Sequence, residues 1–219
     1  GKDPLVPPRL FAHAQFAAGT ILALVFFAAF TSIFFTISLL WQAGLGHTAL
    51  ESGLVSVPFA IGNIIGASQS DRLAARLGRA VLAIGVALLT IGLTALFLIL
   101  LLVPTADLTN WTLLGPLLVA GLGSGLFIAP NVRFIVATVD RSEAGAASGV
   151  IGTMQRVGAA AGIAVIGSVF FGNIGPIAGP ADLPAAFGQA ATPALAVSAA
   201  LALAAFLLVF TLPKRVQLH

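Results

Sequence analysis

The residues of this chain that could do chemistry are few and widely spaced. Its 219 residues include 10 Lys and Arg, 7 Asp and Glu, 3 His and no Cys. His13, His47 and His219 lie too far apart for metal-ligand spacing, and a chain without Cys offers no thiolate nucleophile, disulfide or cysteine metal site. The sequence also lacks the G-x-x-x-x-G-K-S/T loop that binds nucleotide phosphates. We therefore expect neither a metal nor another cofactor.

Ser124, in the glycine-rich stretch GLGSG at 121–125, is a conceivable nucleophile. Such a serine needs a base within hydrogen-bond reach. The three histidines precede the first apolar segment, lie in a connection between segments, or end the chain. Since none of them belongs to an apolar segment, the sequence predicts a protein that is not an enzyme.

Two arginines, Arg133 and Arg156, fall inside apolar sequence. A cation at the centre of a membrane helix costs about 3 kcal/mol or more unless it faces a cavity, a partner or the interface. Arg156 is ten residues into its segment, or about 15 Å at the helical rise. Two interpretations are open for it: a polar contact in a cavity or between helices, and snorkelling to the interface. Arg133 is seven residues before Asp140, so we expect it to snorkel.

Polar and aromatic side chains alternate along the first apolar segment, where Thr31, Ser38 and Gln42 are interleaved with phenylalanines. Such a surface suits amphipathic aromatic ligands. Pocket lining and hydrogen bonding between helices are both open interpretations for the polar groups. The residues that we select as candidates for substrate binding are Phe34, Gln42, Asn63, Asn131, Gln155 and Arg156.

The elements that must position these residues are membrane helices. Hydrophobic residues make up 59% of the chain, charged residues only 8%, and the mean hydropathy is +1.09, values outside the range of soluble domains. Backbone groups in lipid must be satisfied within each segment, which favours helices. We predict an all-α bundle over 18–212 between a cytoplasmic N-terminal segment, 1–17, and a cytoplasmic tail, 213–219. Its six spans are expected at about 18–41, 51–70, 80–103, 111–137, 146–171 and 192–212.

Local sequence supports several of these boundaries. Thr48 and Glu51 fit a capping box before the second span, and Thr192 followed by Pro193 fits the start of the sixth. The stretch 173–191, with three prolines among glycines, predicts an irregular surface connection.

Outside the six predicted spans, Lys and Arg are confined to one side of the membrane. The loops 42–50, 104–110 and 172–191 contain neither residue type, whereas the other side carries eight: Lys2, Arg9, Arg72, Arg76, Arg79, Arg141, Lys214 and Arg215. Cytoplasmic loops carry the excess of Lys and Arg. Both termini are therefore expected in the cytoplasm, in a multi-pass protein of the inner or plasma membrane. The net charge of +3 is explained by this topology, so no nucleic-acid partner is expected.

A faint internal repeat links the second and fifth spans. Ser52, Gly53, Gly62 and Gly66 recur 96 residues later as Ser148, Gly149, Gly158 and Gly162. Repeated helix triplets are common in secondary transporters, and the offset implies two three-helix units. Chance is the alternative, because the chain has 24 Gly.

The connection between the second and third spans carries the motif GASQSDRLAARLGRA. It resembles the cytoplasmic signature between the second and third helices of a six-helix half in the major facilitator superfamily. The matching residues are Gly66, Asp71, Arg72, Gly78 and Arg79. The resemblance implies that Asp71, Arg72 and Arg79 clasp neighbouring helix ends and hold the cytoplasmic face closed. A basic loop that only sets topology is the alternative.

A wider resemblance covers nearly all of the chain. The stretch LLWQAGLGHTALESGLVSVPFAIGNIIG at 39–66 and the stretch GLGSGLFIAPNVRFIVATVDRSEAGAASGVIGTMQRVGAAAGIAVIGSVF at 121–170 resemble the last six helices of the fourteen-span drug:proton antiporters. This implies the C-terminal half of a secondary active transporter, which exports drugs or small amphipathic molecules in exchange for protons by alternating access. Its partners would be the lipid bilayer, a small-molecule substrate and the missing N-terminal half.

A stand-alone six-span subunit, paired with itself or with a separately encoded half, is the alternative function. Proton coupling generally uses acids embedded in the membrane, and no Asp or Glu falls well inside a predicted span. We therefore expect that this chain alone cannot couple transport to a proton gradient.

Overall fold

The computed structural model describes residues 14–137, 139–140 and 143–211. Over these residues the chain is all-helical, without strands, and six of its helical segments are long and apolar enough to cross a membrane. These six segments, spans 1 to 6, are Ala14–Gly44, Ala49–Leu77, Ala80–Leu102, Asn110–Val136, Ala144–Gly172 and Pro180–Val209. The six-span bundle predicted from hydropathy is confirmed. Most of the two predicted terminal segments, 1–17 and 213–219, lies outside the described residues.

Spans 1 and 2 meet at a well-defined turn. The α-helix Ala14–Leu39 continues as a π-helical turn, Leu40–Gly44, in which the Leu45 N–H donates to the Leu40 carbonyl. Thr48 then caps the next helix: its hydroxyl accepts from the Glu51 N–H at 3.3 Å, and the Thr48 N–H donates to the Glu51 carboxylate at 2.8 Å. The predicted capping box is confirmed.

Span 2 consists of two helices, Ala49–Val55 and Val57–Leu77. Pro58 follows the break closely and occupies the first turn of the second helix, where its missing N–H is tolerated. The predicted end of this span at residue 70 is wrong, because the helix runs through Asp71 and ends only at Leu77. The turn to span 3 is then made at Gly78, whose φ of +54° suits glycine.

The predicted start of span 6 at Thr192 is also wrong. A 3₁₀ turn, Pro180–Asp182, leads directly into the helix Leu183–Val209, and the Asp182 carboxylate closes this turn by accepting from the N–H groups of Ala178 and Gly179 at 3.0 Å each. Pro193 therefore lies inside the helix. Thr192 does not cap the helix, because its hydroxyl donates back to the Gly188 carbonyl.

The spans pack in two layers. Spans 2, 4, 1 and 5 form one row in that order, and spans 3 and 6 pack behind it. Span 4 packs on spans 2 and 3, and span 1 packs in the same way on spans 5 and 6. Spans 3 and 6 pack on each other. At the centre, the rings of Phe26 and Phe127 stack with centroids 4.0 Å apart. The arrangement is that of two three-helix units related by a pseudo-twofold axis.

The repeated glycines explain this symmetry. A Cβ at Gly62 would lie 2.2 Å from the Leu118 carbonyl oxygen of span 4, and a Cβ at Gly158 would lie 2.2 Å from the Leu24 carbonyl oxygen of span 1. Gly66 and Gly162 make equivalent contacts one turn further on. Backbones approach this closely only where a small residue lies between them. The repeat predicted at an offset of 96 residues therefore corresponds to two equivalent helix crossings.

Candidate functional site

Three sides of span 1 are covered by other spans. Leu24 and Ala28 lie against span 5, and Phe26 stacks on span 4. On a third side, the Ser32 hydroxyl donates to the Ser198 hydroxyl of span 6 at 2.7 Å. At 100° per residue, the remaining side of the helix points away from spans 3 and 6. We call the surface formed there, flanked by spans 2 and 5, the open face.

Span 1 brings polar and aromatic side chains to the open face. Phe27, Thr31, Phe34 and Ser38 share the uncovered side of the helix and are all half-buried. Gln42 lies beyond them in the π-helical turn, where it is exposed and donates to the Ser38 hydroxyl at 2.6 Å. The mixture of aromatic and polar groups that the sequence indicated is therefore present on one side of span 1.

Phe34 belongs to an aromatic cluster between spans 1 and 2. Its ring centroid lies 5.0 Å from that of Phe59 and 5.5 Å from that of Phe30, and Phe30 lies 5.6 Å from Phe59. The three contacts are edge-on, a favoured geometry for aromatic rings. Phe59 is 3% exposed, whereas Phe34 is half-buried. Phe34 is thus the accessible edge of an apolar wall formed by the three rings.

Asn63 lies one helical turn from Phe59 and links spans 2 and 4. Its side-chain N–H donates to the hydroxyl of Ser124, which is fully buried. Asn63 itself is half-buried. Of the two interpretations left open by the sequence, a hydrogen bond between helices is present. The role of Ser124 as its partner was missed, because sequence reasoning considered this serine only as a nucleophile.

Asn131 is a candidate that the structure places in the interior. It is 2% exposed, so a ligand on the open face does not reach it in this conformation. Its side-chain oxygen accepts no hydrogen bond within the described part of the chain, and the same holds for the Thr36 hydroxyl. Unpaired buried polar groups cost free energy, which makes both positions sensitive to any rearrangement of spans 1 and 4.

Gln155 and Arg156 lie on span 5, Gln155 half-buried and Arg156 exposed. Arg156 lies two residues before Gly158, the residue at which span 5 crosses span 1. Two residues correspond to about 200° of helix rotation, so Arg156 projects from the side of span 5 opposite that crossing. Arg156 forms no ion pair with a carboxylate of the described residues. Both interpretations of this arginine, cavity contact and snorkelling, remain predictions.

The three gating candidates do not form one cluster. Asp71, in the helical part of span 2, pairs with Arg133 in the last turn of span 4, and both side chains are largely exposed. Arg72 is exposed and Arg79 is half-buried, and neither pairs with a carboxylate of the described residues. Arg79 instead lines a cleft beside the end of span 6.

The Asp71–Arg133 pair corrects the expectation that Arg133 only snorkels. The pair was not predicted because Asp71 was expected in a loop, whereas the helix carries it alongside span 4. An exposed ion pair contributes only about 0 to 1 kcal/mol. Its value for stability is therefore small, and a contact of this strength can open and close readily.

A two-layer bundle of six membrane helices, built from two equivalent triplets with an uncovered polar and aromatic face, is the architecture of half a transporter. The sequence profile of the Major Facilitator Superfamily matches residues 19–218. The chain belongs to this superfamily.

Curated proteins that resemble the chain are named as transporters, export proteins or resistance proteins. A Streptomyces coelicolor protein named "Probable actinorhodin transporter" is 36% identical over 185 residues, which are 80% of this chain and 30% of that protein. "Cephamycin export protein CmcT" of Amycolatopsis lactamdurans is 32% identical, over 86% of this chain and 38% of that protein. "Puromycin resistance protein pur8" of Streptomyces alboniger is 28% identical, over 78% of this chain and 34% of that protein. The chain thus spans about a third of the length of these relatives.

Proposed function

We propose that this chain is the C-terminal half of a secondary active exporter that moves drugs or other small amphipathic molecules out of the cell in exchange for protons. The observation that carries the proposal is the open face, where the wall formed by Phe34 and Phe59 lies on the same two spans as the hydrogen-bonding groups of Gln42 and Asn63. Mostly apolar surfaces with a few placed polar groups are typical of small-molecule sites. The names of the cephamycin export protein and the puromycin resistance protein among the relatives support export as the direction of transport.

In this proposal the missing N-terminal half covers the open face, and the substrate lies between the two halves near the middle of the membrane. Alternating access then requires that each half moves as a unit. The backbone contacts at Gly62 and Gly158 support such rigid-body motion, because helices in direct backbone contact have little room to slide. A stand-alone subunit would instead pair two copies of the open face.

The end of the bundle that carries Arg72, Arg76, Arg79 and Arg133, here called the basic end, is proposed to face the cytoplasm of a cell (plasma or inner) membrane. The excess of Lys and Arg on that side supports this orientation. The Asp71–Arg133 pair joins spans 2 and 4 there, and we propose that it is part of a cytoplasmic gate to which Arg72 and Arg79 also contribute.

Proton coupling is proposed to depend on the missing half. The described spans contain three acids: Glu51 lies in the first turn of span 2, Asp71 lies within two turns of the end of that span, and Asp182 lies in the turn that begins span 6. None of them is near the middle of a span. Embedded acids generally carry protons in such transporters. Vesicles that contain this chain alone should therefore show no proton-driven efflux, and efflux from such vesicles would contradict this part of the proposal.

The open face is tested in the complete transporter with Phe34→Ala, compared with Phe171→Ala as a control. Phe171 is 58% exposed at the far end of span 5. Efflux of a panel of aromatic drugs should fall or change its substrate order in the Phe34 variant, with equal amounts of protein in the membrane. Unchanged efflux of every drug by the Phe34 variant would reject the open face as a substrate site.

The partner is tested by cysteine cross-linking. The chain has no Cys, so a single cysteine at Ser38 reports on the open face without interference. Cross-links to a preceding six- or eight-span region support the proposal. Cross-links between two copies of this chain would support the stand-alone subunit instead.

A further inference from the structure

Among the described residues, a cleft lies at each end of the seam between spans 3 and 6. The cleft at the basic end has a volume of about 350 Å³ and is lined by residues 77–80, Ala83, Val209 and Phe210. The cleft at the other end, about 850 Å³, is lined by the end of span 3, the following connection and the start of span 6. Both lie in the layer that is turned away from the open face.

The two clefts differ in charge. The cleft at the basic end contains Arg79, whereas no Lys, Arg, Asp or Glu of the described residues lines the other. Arg79 forms no ion pair with a carboxylate of the described residues. The helix of span 3 begins directly after it, at Ala80, without a side-chain cap, so the positive end of that helix adds to the charge of the arginine. The cleft therefore favours an anion.

The rest of the cleft is apolar. Leu77 and Phe210 are 44% and 58% exposed at its rim, and Ala83 lies on its wall. An apolar path continues from it toward the middle of the bundle: span 3 exposes Ile84, Ile91 and Leu98, spaced at seven residues and hence on one side of the helix. Span 6 exposes Leu203 and Leu207.

We propose that this cleft binds an anionic phospholipid of the phosphatidylglycerol class. The headgroup phosphate pairs with the Arg79 guanidinium at the start of span 3, and an acyl chain lies along the exposed apolar residues of spans 3 and 6. Basic pockets between membrane helices are suited to anionic headgroups. The occupant is a lipid rather than a free phosphate because the apolar path begins at the cation itself.

The test is native mass spectrometry of the complete transporter in detergent, with phosphatidylglycerol, phosphatidylethanolamine or inorganic phosphate added. Arg79→Gln should lower retention of phosphatidylglycerol about fivefold, the effect of about one surface cation. Arg79→Lys should retain most of the binding. Arg72→Gln is the matched control, because Arg72 is exposed at the same end of the bundle but does not line the cleft.

A second variant keeps the charge and fills the space. Ala83→Phe should reduce the retained phosphatidylglycerol as Arg79→Gln does, whereas Ala164→Phe on the exposed side of span 5 should not. If the Arg79 variant does not fold, the comparison of Ala83→Phe with Ala164→Phe tests the lipid site in its place.

Three results would overturn the proposal. Equal losses in the Arg72 and Arg79 variants would show diffuse attraction of lipid to the basic end. Equal retention of phosphatidylethanolamine and phosphatidylglycerol would show that charge is not recognised. Displacement of the lipid by millimolar inorganic phosphate would show a site for a free anion. None of these readouts depends on efflux, so the lipid site can fail while the proposed function stands.

Discussion

The crossing of spans 1 and 5 makes a quantitative prediction for Gly158→Ala. The added Cβ would lie 2.2 Å from the Leu24 carbonyl oxygen and 2.8 Å from the Leu24 carbonyl carbon, whereas C···O contacts normally begin at about 3.3 Å. The helices must therefore separate by about 1 Å. Because the obstacle is backbone, we place the cost near the upper end of overpacking, about 3 kcal/mol.

Alanine also favours the helix by about 1 kcal/mol over glycine, which leaves a net loss of about 2 kcal/mol for Gly158→Ala. At about 2 to 4 °C per kcal/mol for a chain of this size, the Tm should fall by about 4 to 8 °C. Gly152→Ala on the same helix is the control. Its Cβ would meet nothing within 4 Å, so its Tm should stay equal or rise by up to about 4 °C.

The assay is thermal unfolding of the purified protein in detergent, followed by the loss of monodisperse protein after heating. We expect the Tm to fall in Gly158→Ala and to stay equal or rise in Gly152→Ala. If Gly158→Ala and Gly152→Ala change the Tm by the same amount, the backbone contact at Gly158 does not hold the crossing together and the reasoning is refuted.

Two further predictions concern polar contacts between spans 2 and 4. A double-mutant cycle of Asn63→Ala and Ser124→Ala, measured by thermal or denaturant unfolding, should give a coupling free energy of about 0.6 to 1.7 kcal/mol. This is the range for hydrogen bonds between membrane helices. Additive effects of the two substitutions would show that the hydrogen bond is not formed. Asp71→Asn in the complete transporter should impair efflux while changing stability by no more than about 1 kcal/mol. Arg133→Gln should have the same effect, and normal efflux in both variants would remove the pair from the gate.

Hydropathy predicted much of the fold because the bilayer imposes a minimum length on each apolar segment. Spans 1, 3, 4 and 5 begin and end within four residues of their predicted limits. The Thr48 cap was predictable for a local reason, since both partners lie within one turn. The repeat was visible at Gly62 and Gly158 because close backbone crossings admit few residue types.

The errors arose where tertiary contacts override local signals. Pro193 was expected to begin a helix but lies inside one. A proline has no N–H, so the carbonyl of Gln189, four residues earlier, loses its helical hydrogen bond. Gln189 lines the larger cleft, so it is not buried in the core. Asp71 was expected in a loop because charge usually marks the end of a span. Its partner Arg133 is 62 residues away, and no local pattern reveals such a pair.

The burial of Asn131 could not be predicted either. Periodicity shows which residues share a side of a helix, but it does not show which side faces a neighbour when every side is apolar. In the candidate site, the residue types were therefore predictable and their partners were not.

The two glycine crossings have a consequence for the proposed transport cycle. Because Gly62 and Gly158 bring neighbouring backbones into direct contact at equivalent positions, a rocking motion of this half would leave the contacts inside it unchanged. The Asp71–Arg133 pair joins two spans of the same half, so it would persist in both the inward- and the outward-facing state. The preference between those states would then come from contacts between the halves, for which this pair holds two side chains in place at the basic end.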